Sequence, residues 1–527
     1  MALHYPSPAW MDTAVFYEVY PQSFQDSNGD GIGDLPGLIS RLDYIAALGA
    51  NALWINPCFD SPFKDAGYDV RDYCQVASRY GTNDDLVALF DAAHSRGMHV
   101  LLDLVPGHTS EEHKWFEASK NATMNALSDR YIWSSSWIDG GDGLPFIAGE
   151  AERDGTYILN FFKSQPALNY GFAHPKYPWQ KEALGPQARA TADALVDVMR
   201  FWLSRGADGF RVDMADSLVK HDDDGKPATI ATWNYMFDQI RPEFPDAAWV
   251  SEWGRPAESM RAGFDADFYL DWRWGGNPNG YNMLLRNTDD SRTRGVDWSY
   301  FNADSGADIT GFLGDYLPSL EEVQKVGGSF SLITCNHDTV RLAPRLDERE
   351  RAIAFAFLLT MPGAPFIYYG DEIGMRYQNL PTKEGGYSRT GSRTPMQWDS
   401  LAQYGFTTSN EPYLPVDPSP DAPTAASEMA RPDSLWNQMA SLLRLRHQSP
   451  AFATTAAFAI THAERGNTLF AFSRGEGNDR RLVVVNPGRD WHDLDASGTT
   501  SVNYVIGSVT VDGGRVNVGP QSFAVLS

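Results

Sequence analysis

Cationic side chains are the scarce charged class in this 527-residue chain: 43 Lys and Arg stand against 68 Asp and Glu, for a formal net charge of -25. That surplus repels phosphate backbones and anionic lipid, so neither nucleic acid nor a membrane surface is expected as a partner. Cysteine is scarcer still. Cys58, Cys74 and Cys335 are too few and too scattered for a disulfide framework, and no CxxC pair offers a zinc site, which points to a reducing, cytoplasmic setting. Long hydrophobic runs are missing as well. The most apolar tract, from Ala352 to Gly370, is broken by Pro362 and Gly363 and reads as a buried helix followed by a strand. The opening residues MALHYPSPAW carry no basic region followed by an apolar stretch, so a secretory signal is not expected. Repeats of fixed period are absent, and nothing calls for an organic cofactor.

What is present is a succession of short apolar, β-rich runs: AVFYEVY, ALWINP, HVLLDLV, GFRVDM, AWVSEW, DADFYLD, FSLITCNHD and PFIYYGDE. Amphipathic stretches such as DDLVALFDAAHSRG and ATADALVDVMRFWLSRG lie between them, and that alternation predicts parallel βα units. Eight units close into a (β/α)8 barrel, whose chemistry sits at the C-terminal ends of the strands. Polar residues stand at those ends: Asp103 and His108, Arg211 and Asp213, Glu252, His337 and Asp338, Asp371 and Glu372. Residues 108–173 are too long for a simple connection and are read as a small inserted domain after the third strand. The barrel then takes residues 1–107 and 174–450. From 451 to 527 alternating strands without long helices predict a C-terminal antiparallel β-sandwich.

Asp213 and Glu252 form a plausible chemical pair. Glycoside cleavage needs one carboxylate at the anomeric carbon and a second carboxyl to protonate the leaving oxygen. Arg211 and Asp213 alternate on one strand, so both point to one face and the guanidinium is expected to keep Asp213 ionised. Glu252 ends an apolar strand beside Trp253, where partial desolvation would raise an acid's pKa. Taken singly, each carboxylate could equally be a strand-end ion pair; their joint placement is what carries weight.

The motifs FYEVYPQSF, GYDVRDY, DLVPGHTS, GFRVDMADS, SEWG, NHDTVR, PFIYYGDEIGM and SRTPMQWD, in that order, resemble glycoside hydrolase family 13, the α-amylase family, and most of all its oligo-1,6-glucosidase and α-glucosidase branch. The resemblance implies Asp213 as nucleophile, Glu252 as general acid/base and Asp338 as the carboxylate that helps distort the sugar ring, with net retention. It further implies Tyr68 as a stacking platform and Asp69 as an acceptor for the terminal sugar, with His108, Arg211 and His337 as donors. Arg393 would pair with Asp69. Such a clamp across one end of the sugar site favours exo action on a short α-glucoside, by a monomer or small homo-oligomer.

The run DSNGDGIGD sets Asp26, Asn28 and Asp30 at alternate positions before Gly31, with the Ile32 carbonyl and Asp34 able to complete an oxygen shell. Gly37 stands where an EF-hand loop needs its glutamate, so this is not an EF-hand; by the resemblance a structural Ca2+ is expected, with Mg2+ the alternative. Three departures leave specificity open: Gly107 before His108, Met214 after the nucleophile, and SRTGSRT in place of a more acidic loop. Two rival functions therefore stand beside hydrolysis: a transglucosidase or isomerase with the same intermediate, and a non-catalytic sugar-binding barrel.

Overall fold

The computed structural model of the chain describes residues 5–270, 278–286, 296–496 and 498–527. Eight short parallel strands make its central sheet: β1 (Phe16–Val19), β2 (Ala52–Ile55), β3 (His99–Leu104), β4 (Gly209–Val212), β5 (Ala248–Ser251), β6 (Ala266–Tyr269), β7 (Ser329–Leu332) and β8 (Phe366–Tyr368). Their order is β7-β6-β5-β4-β3-β2-β1-β8. A parallel bridge between Ile333 and Phe366, with Thr334 N donating to Phe366 O at 3.0 Å, closes β7 onto β8. Each apolar run read from the sequence is one of these strands, although DADFYLD ends at Asp271, outside the described residues.

The barrel interior changes character along its axis. Low down it is filled by rings: Phe16 stacks on Phe366 at 4.2 Å, Phe268 meets Phe366 edge-on at 4.7 Å, and Trp54 lies on Phe268 at 5.3 Å. Offset and edge-to-face contacts of this kind fill the tube without a pore. Two residues further along β1, on the same face, Glu18 replaces a ring; Asp103 on β3 and Arg211 on β4 join it, all buried. The switch from rings to charges marks the C-terminal end, where the site lies.

After β3 the chain leaves the barrel and returns, and the two ends of the excursion meet where His108 pairs with Ala167. Between them lie the helix Lys114–Ser119 and a hairpin of Phe146–Ala148 with Thr156–Ile158. Ile132, Ile158, Ala167 and Phe172 give this region a small core of its own.

Beyond the helix Leu435–Gln448 come a five-stranded and a three-stranded antiparallel sheet. Period-two alternation lets the larger sheet bury both faces. Ala471, Val484, Ala524 and Leu526 meet Val516 and Val518 of the smaller sheet, while Phe470, Phe472 and Phe523 join the barrel's core. Phe357 on the helix Glu348–Leu358 contacts Phe470 and Phe472 at 6.2 and 6.0 Å. Each buried phenylalanine contributes roughly 1.5–3 kcal/mol of transfer free energy, enough to dock the sandwich against the barrel. No described helix is long and apolar enough to cross a membrane.

Candidate active site

At the C-terminal mouth of the barrel a cavity of about 160 Å³ is lined by Asp213, Glu252 and Asp338, the three carboxylates singled out in the sequence. A larger cleft of about 710 Å³ around Arg351, Arg376 and Arg431 contains none of these carboxylates.

Arg211 organises Asp213 and Glu252. Its Nη1 donates to Asp103 Oδ1 at 2.9 Å and to Asp213 Oδ1 at 3.2 Å, and its Nη2 donates to Glu252 Oε2 at 2.6 Å. The guanidinium also lies 4.8 Å from the Trp54 ring, a cation–π contact from below. The guanidinium was expected to keep Asp213 ionised, but one buried cation is shared among three carboxylates and its pull on Asp213 is outweighed. Burial and the charge of Glu252 push the Asp213 carboxyl well above its usual range, with Arg211 pulling it back. The backbone fixes both groups. Asp213 N donates to Leu104 O at 2.9 Å, Glu252 N to Val212 O at 2.9 Å, and Ala215 N to Glu252 O at 3.0 Å. Between them Met214 adopts φ +39°, a left-handed turn that carries the chain away directly after the nucleophile position.

Asp338 has the opposite environment. Burial would raise its carboxyl, but the charges of Arg389 and Arg393 outweigh that and hold it well below the usual carboxylate range. Arg393 Nη2 and Arg389 Nη1 donate to its Oδ1 at 2.8 and 3.1 Å. Arg393 was expected to pair with Asp69, and the structure overturns this. Asp69 is fully buried and accepts from Lys64 N, Asp65 N and Ser61 Oγ at 2.8 to 3.0 Å; it holds its own loop and does not face the cavity.

The acid of that loop that faces the cavity is Asp65. It lines the cavity, accepts from Gln165 Nε2 at 2.8 Å and faces Arg389 Nη2 at 3.5 Å. Burial pushes its carboxyl up to about 6, against the pull of Gln165, Arg389 and Arg393. Asp65, Arg389 and Asp338 thus close one end of the cavity. The sequence signal lay in KDAGYD: Ala66 at φ +53° and Gly67 at φ +100° reverse the chain between the two acids, so adjacency to Tyr68 is not proximity to sugar.

Tyr68 does line the cavity, its ring stacked on His337 at 5.4 Å. Its hydroxyl lies 2.9 Å from Asp103 Oδ2 and 2.7 Å from His337 Nε2. His337 Nδ1 in turn lies 2.7 Å from Glu18 Oε1. Glu18 escaped the sequence reading, and a glutamate inside an apolar strand run was its signal. Burial keeps both expected histidine donors neutral, lowering His108 to about 3 and His337 well below its usual value. His108 lines the cavity, yet its Nε2 is 3.1 Å from the Tyr68 carbonyl and its Nδ1 3.2 Å from Asn160 Nδ2. His337, Arg211 and Arg393 lie under the cavity wall. Phe161, 48% exposed, forms part of the outer wall and also had no place in the sequence reading.

The first loop folds around its own oxygens. Asp26 accepts from the backbone of Asn28, Gly29 and Gly31 at 2.7 to 2.9 Å and from the Thr407 hydroxyl. Asn28 Oδ1 accepts from Asp30 N, Asp30 Oδ1 from Ile32 N, and Asp34 caps the helix Leu35–Ser40 through Gly37 N. Among the described residues no three His, Cys, Asp or Glu gather as a metal cluster, so a cation here would also need Asn28 and the Ile32 carbonyl.

A family model for the α-amylase catalytic domain matches residues 18–455. The chain belongs to the α-amylase family. Among curated relatives, a glucan 1,6-alpha-glucosidase of Streptococcus pneumoniae is 32% identical over 93% of this chain and 93% of its own. An oligo-1,6-glucosidase of Heyndrickxia coagulans is 31% identical over 90% and 92%. A trehalose synthase/amylase of Mycobacterium tuberculosis is 31% identical over 92% and 82%. Among solved structures, the trehalulose synthase MutB of Pseudomonas mesoacidophila superposes with a TM-score of 0.79 at 25% identity, over 99% of this chain and all of that one.

Proposed function

We propose that this chain is a retaining, exo-acting α-glucosidase that hydrolyses the terminal α-glucosidic bond of short oligosaccharides. The observation that carries the reading is a small cavity in which Arg389 bridges Asp65 and Asp338 on one side while Asp213 and Glu252 share a guanidinium on the other. The closed end accepts only a terminal glucosyl unit. Asp213 attacks the anomeric carbon as Glu252 gives its proton to the departing glycosidic oxygen, which leaves a covalent glucosyl ester and a deprotonated Glu252. Glu252 then takes a proton from water, whose oxygen displaces Asp213, and glucose leaves with its original configuration. Asp338, kept anionic by its two arginines, stabilises the positive charge that builds on the ring.

A second reading keeps the same intermediate and returns it to a sugar acceptor; the trehalose synthase and trehalulose synthase relatives favour it. A product time course from sucrose, maltose, isomaltose, trehalose and soluble starch separates the two. Free glucose from short substrates with starch untouched is the expected result. New glucosides or an isomer as main product would overturn hydrolysis.

We also propose a structural Ca2+ held by Asp26, Asn28, Asp30, the Ile32 carbonyl and Asp34, supported by an all-oxygen donor set that suits a hard cation. Elemental analysis of the purified chain should find about one calcium, and a chelator should lower Tm; a metal-free chain whose Tm ignores both chelator and added Ca2+ would overturn the site. A reducing cytoplasmic setting is supported by three free cysteines, Cys58, Cys74 and Cys335.

A further inference from the structure

Behind the acid/base residue lies a buried carboxylate that the mechanism above does not use. Asp267, on β6, is fully buried. In the ladder it pairs with Ser251, the residue before Glu252, and there the pairing between β5 and β6 stops. Past that point the N–H groups of Trp253 and Gly254 have no ladder partner on β6. The Asp267 side chain takes both, Oδ1 accepting from Trp253 N and Oδ2 from Gly254 N, each at 3.0 Å. Oδ1 also accepts from Ser251 Oγ at 2.9 Å. One carboxylate therefore grips the chain on both sides of Glu252 while leaving the Glu252 side chain free to face the cavity.

The opposite side of Glu252 is fixed by its own backbone bonds to Val212 and Ala215. Remove the Asp267 grip and only that half remains. A general acid must sit within hydrogen-bond reach of the oxygen it protonates, and misplacement of about 1 Å costs on the order of a hundredfold in rate. The strand end would drift while the nucleophile, tied to β3 and β4, stayed where it is.

We propose that Asp267 is a positioning residue for proton donation: its carboxylate replaces the missing ladder acceptors and sets the reach of Glu252. The inference rests on Glu252 being the general acid of a glucosidase. An amide at 267 keeps shape and volume but offers one oxygen where two are used, and it turns a donor toward an N–H.

The test compares two leaving groups. Fluoride departs without a proton, so α-glucosyl fluoride reports the nucleophile; a maltose or isomaltose leaving group needs the acid. Because Glu252 also serves the common second step, the comparison is made in kcat/KM, which reports only formation of the glucosyl ester: Asp267→Asn should lower kcat/KM on whichever disaccharide the native chain cleaves by about tenfold or more, and kcat/KM on the fluoride by less than about threefold. Equal losses on both substrates, or no loss on either, would overturn the proposal. If Asp267→Asn does not fold, Ser251→Ala, which removes only the hydroxyl contact, should show the same bias at about threefold, and a uniform effect or none would overturn it equally. A native chain that cleaves neither substrate would instead defeat the glucosidase reading and be recognisable as such.

Discussion

The closed end of the cavity makes a quantitative claim about Asp65. Asp65→Asn keeps the volume and a single oxygen acceptor but removes the charge beside Arg389 and Gln165. A hydrogen bond to a charged group contributes about 1.5–3 kcal/mol, against about 0.5–1.5 kcal/mol for a neutral one. Replacing one such bond to a terminal sugar hydroxyl thus costs about 1–2 kcal/mol, a fall of about five- to thirtyfold in kcat/KM at 1.36 kcal/mol per decade. The loss should sit mainly in KM, because the contact exists in ground and transition states alike. Burial places the Asp65 carboxyl at about 6, so in the native chain the acceptor is charged above that pH and lost below it. Native KM should rise as pH falls through about 6, and that rise should be missing in Asp65→Asn. Initial rates on a short α-glucoside from pH 5 to pH 8 read both effects. A variant within about twofold of native kcat/KM at pH 8 would refute the assignment of Asp65 to the sugar site.

Asp213→Asn should fold with a Tm no lower than native and lose at least about a thousandfold in turnover, because an amide cannot form the glucosyl ester; circular dichroism and single-turnover rates check it. Glu372 offers a stability test. It is fully buried, accepts from the Tyr17 and Tyr44 hydroxyls at 2.8 and 2.7 Å, and burial pushes its carboxyl up to about 7. The folded chain therefore binds this proton more tightly than the unfolded chain, and stability present at low pH is lost as pH rises through about 7. Glu372→Gln should match native Tm near pH 5 and exceed it at pH 8; calorimetry showing a lower Tm at both pH values would count against that account.

The barrel was legible because its physics is local. Short runs such as HVLLDLV and PFIYYGDE are buried on both sides, so apolar content alone marks them, and the carboxylates at their ends are exceptions to that rule. Asp213 and Glu252 were singled out because each ends such a run, whereas Asp338, though also at a strand end, took its role only from the family resemblance. The loop residues were less accessible. Asp65 and Asp69 are both acids beside one tyrosine, and only the left-handed turn at Ala66 and Gly67 decides which faces the sugar. Arg393 and Arg389 stand four residues apart in one loop, and the sequence does not say that both converge on Asp338 while Arg389 alone also reaches Asp65. Glu18 and Asp267 show a third case. Each is a charge inside an apolar strand, visible as an oddity, but Glu18 meets His337 from the far end of the barrel, 319 residues on, and Asp267 reaches back past the end of its ladder with the preceding strand, contacts known only when the barrel's order and register are known.

The electrostatics explain how three carboxylates at one cavity acquire different roles. Arg389 and Arg393 both donate to Asp338, and that carboxylate is held well below its usual range. Arg211 alone serves Asp103, Asp213 and Glu252, and the two members of the reacting pair share its remaining donors. Burial and the charge of Glu252 push the Asp213 carboxyl up, and Arg211 pulls it back. In the proposed reaction, positive charge developing at the anomeric carbon opposes that push and stabilises an ionised Asp213. The guanidinium spans both members of the pair, Nη1 on Asp213 and Nη2 on Glu252, so it holds nucleophile and acid in one frame. Arg211→Lys, a point charge that cannot reach both in fork geometry, should therefore slow turnover on a short α-glucoside far more than it lowers Tm, and a variant with native turnover would refute the shared frame.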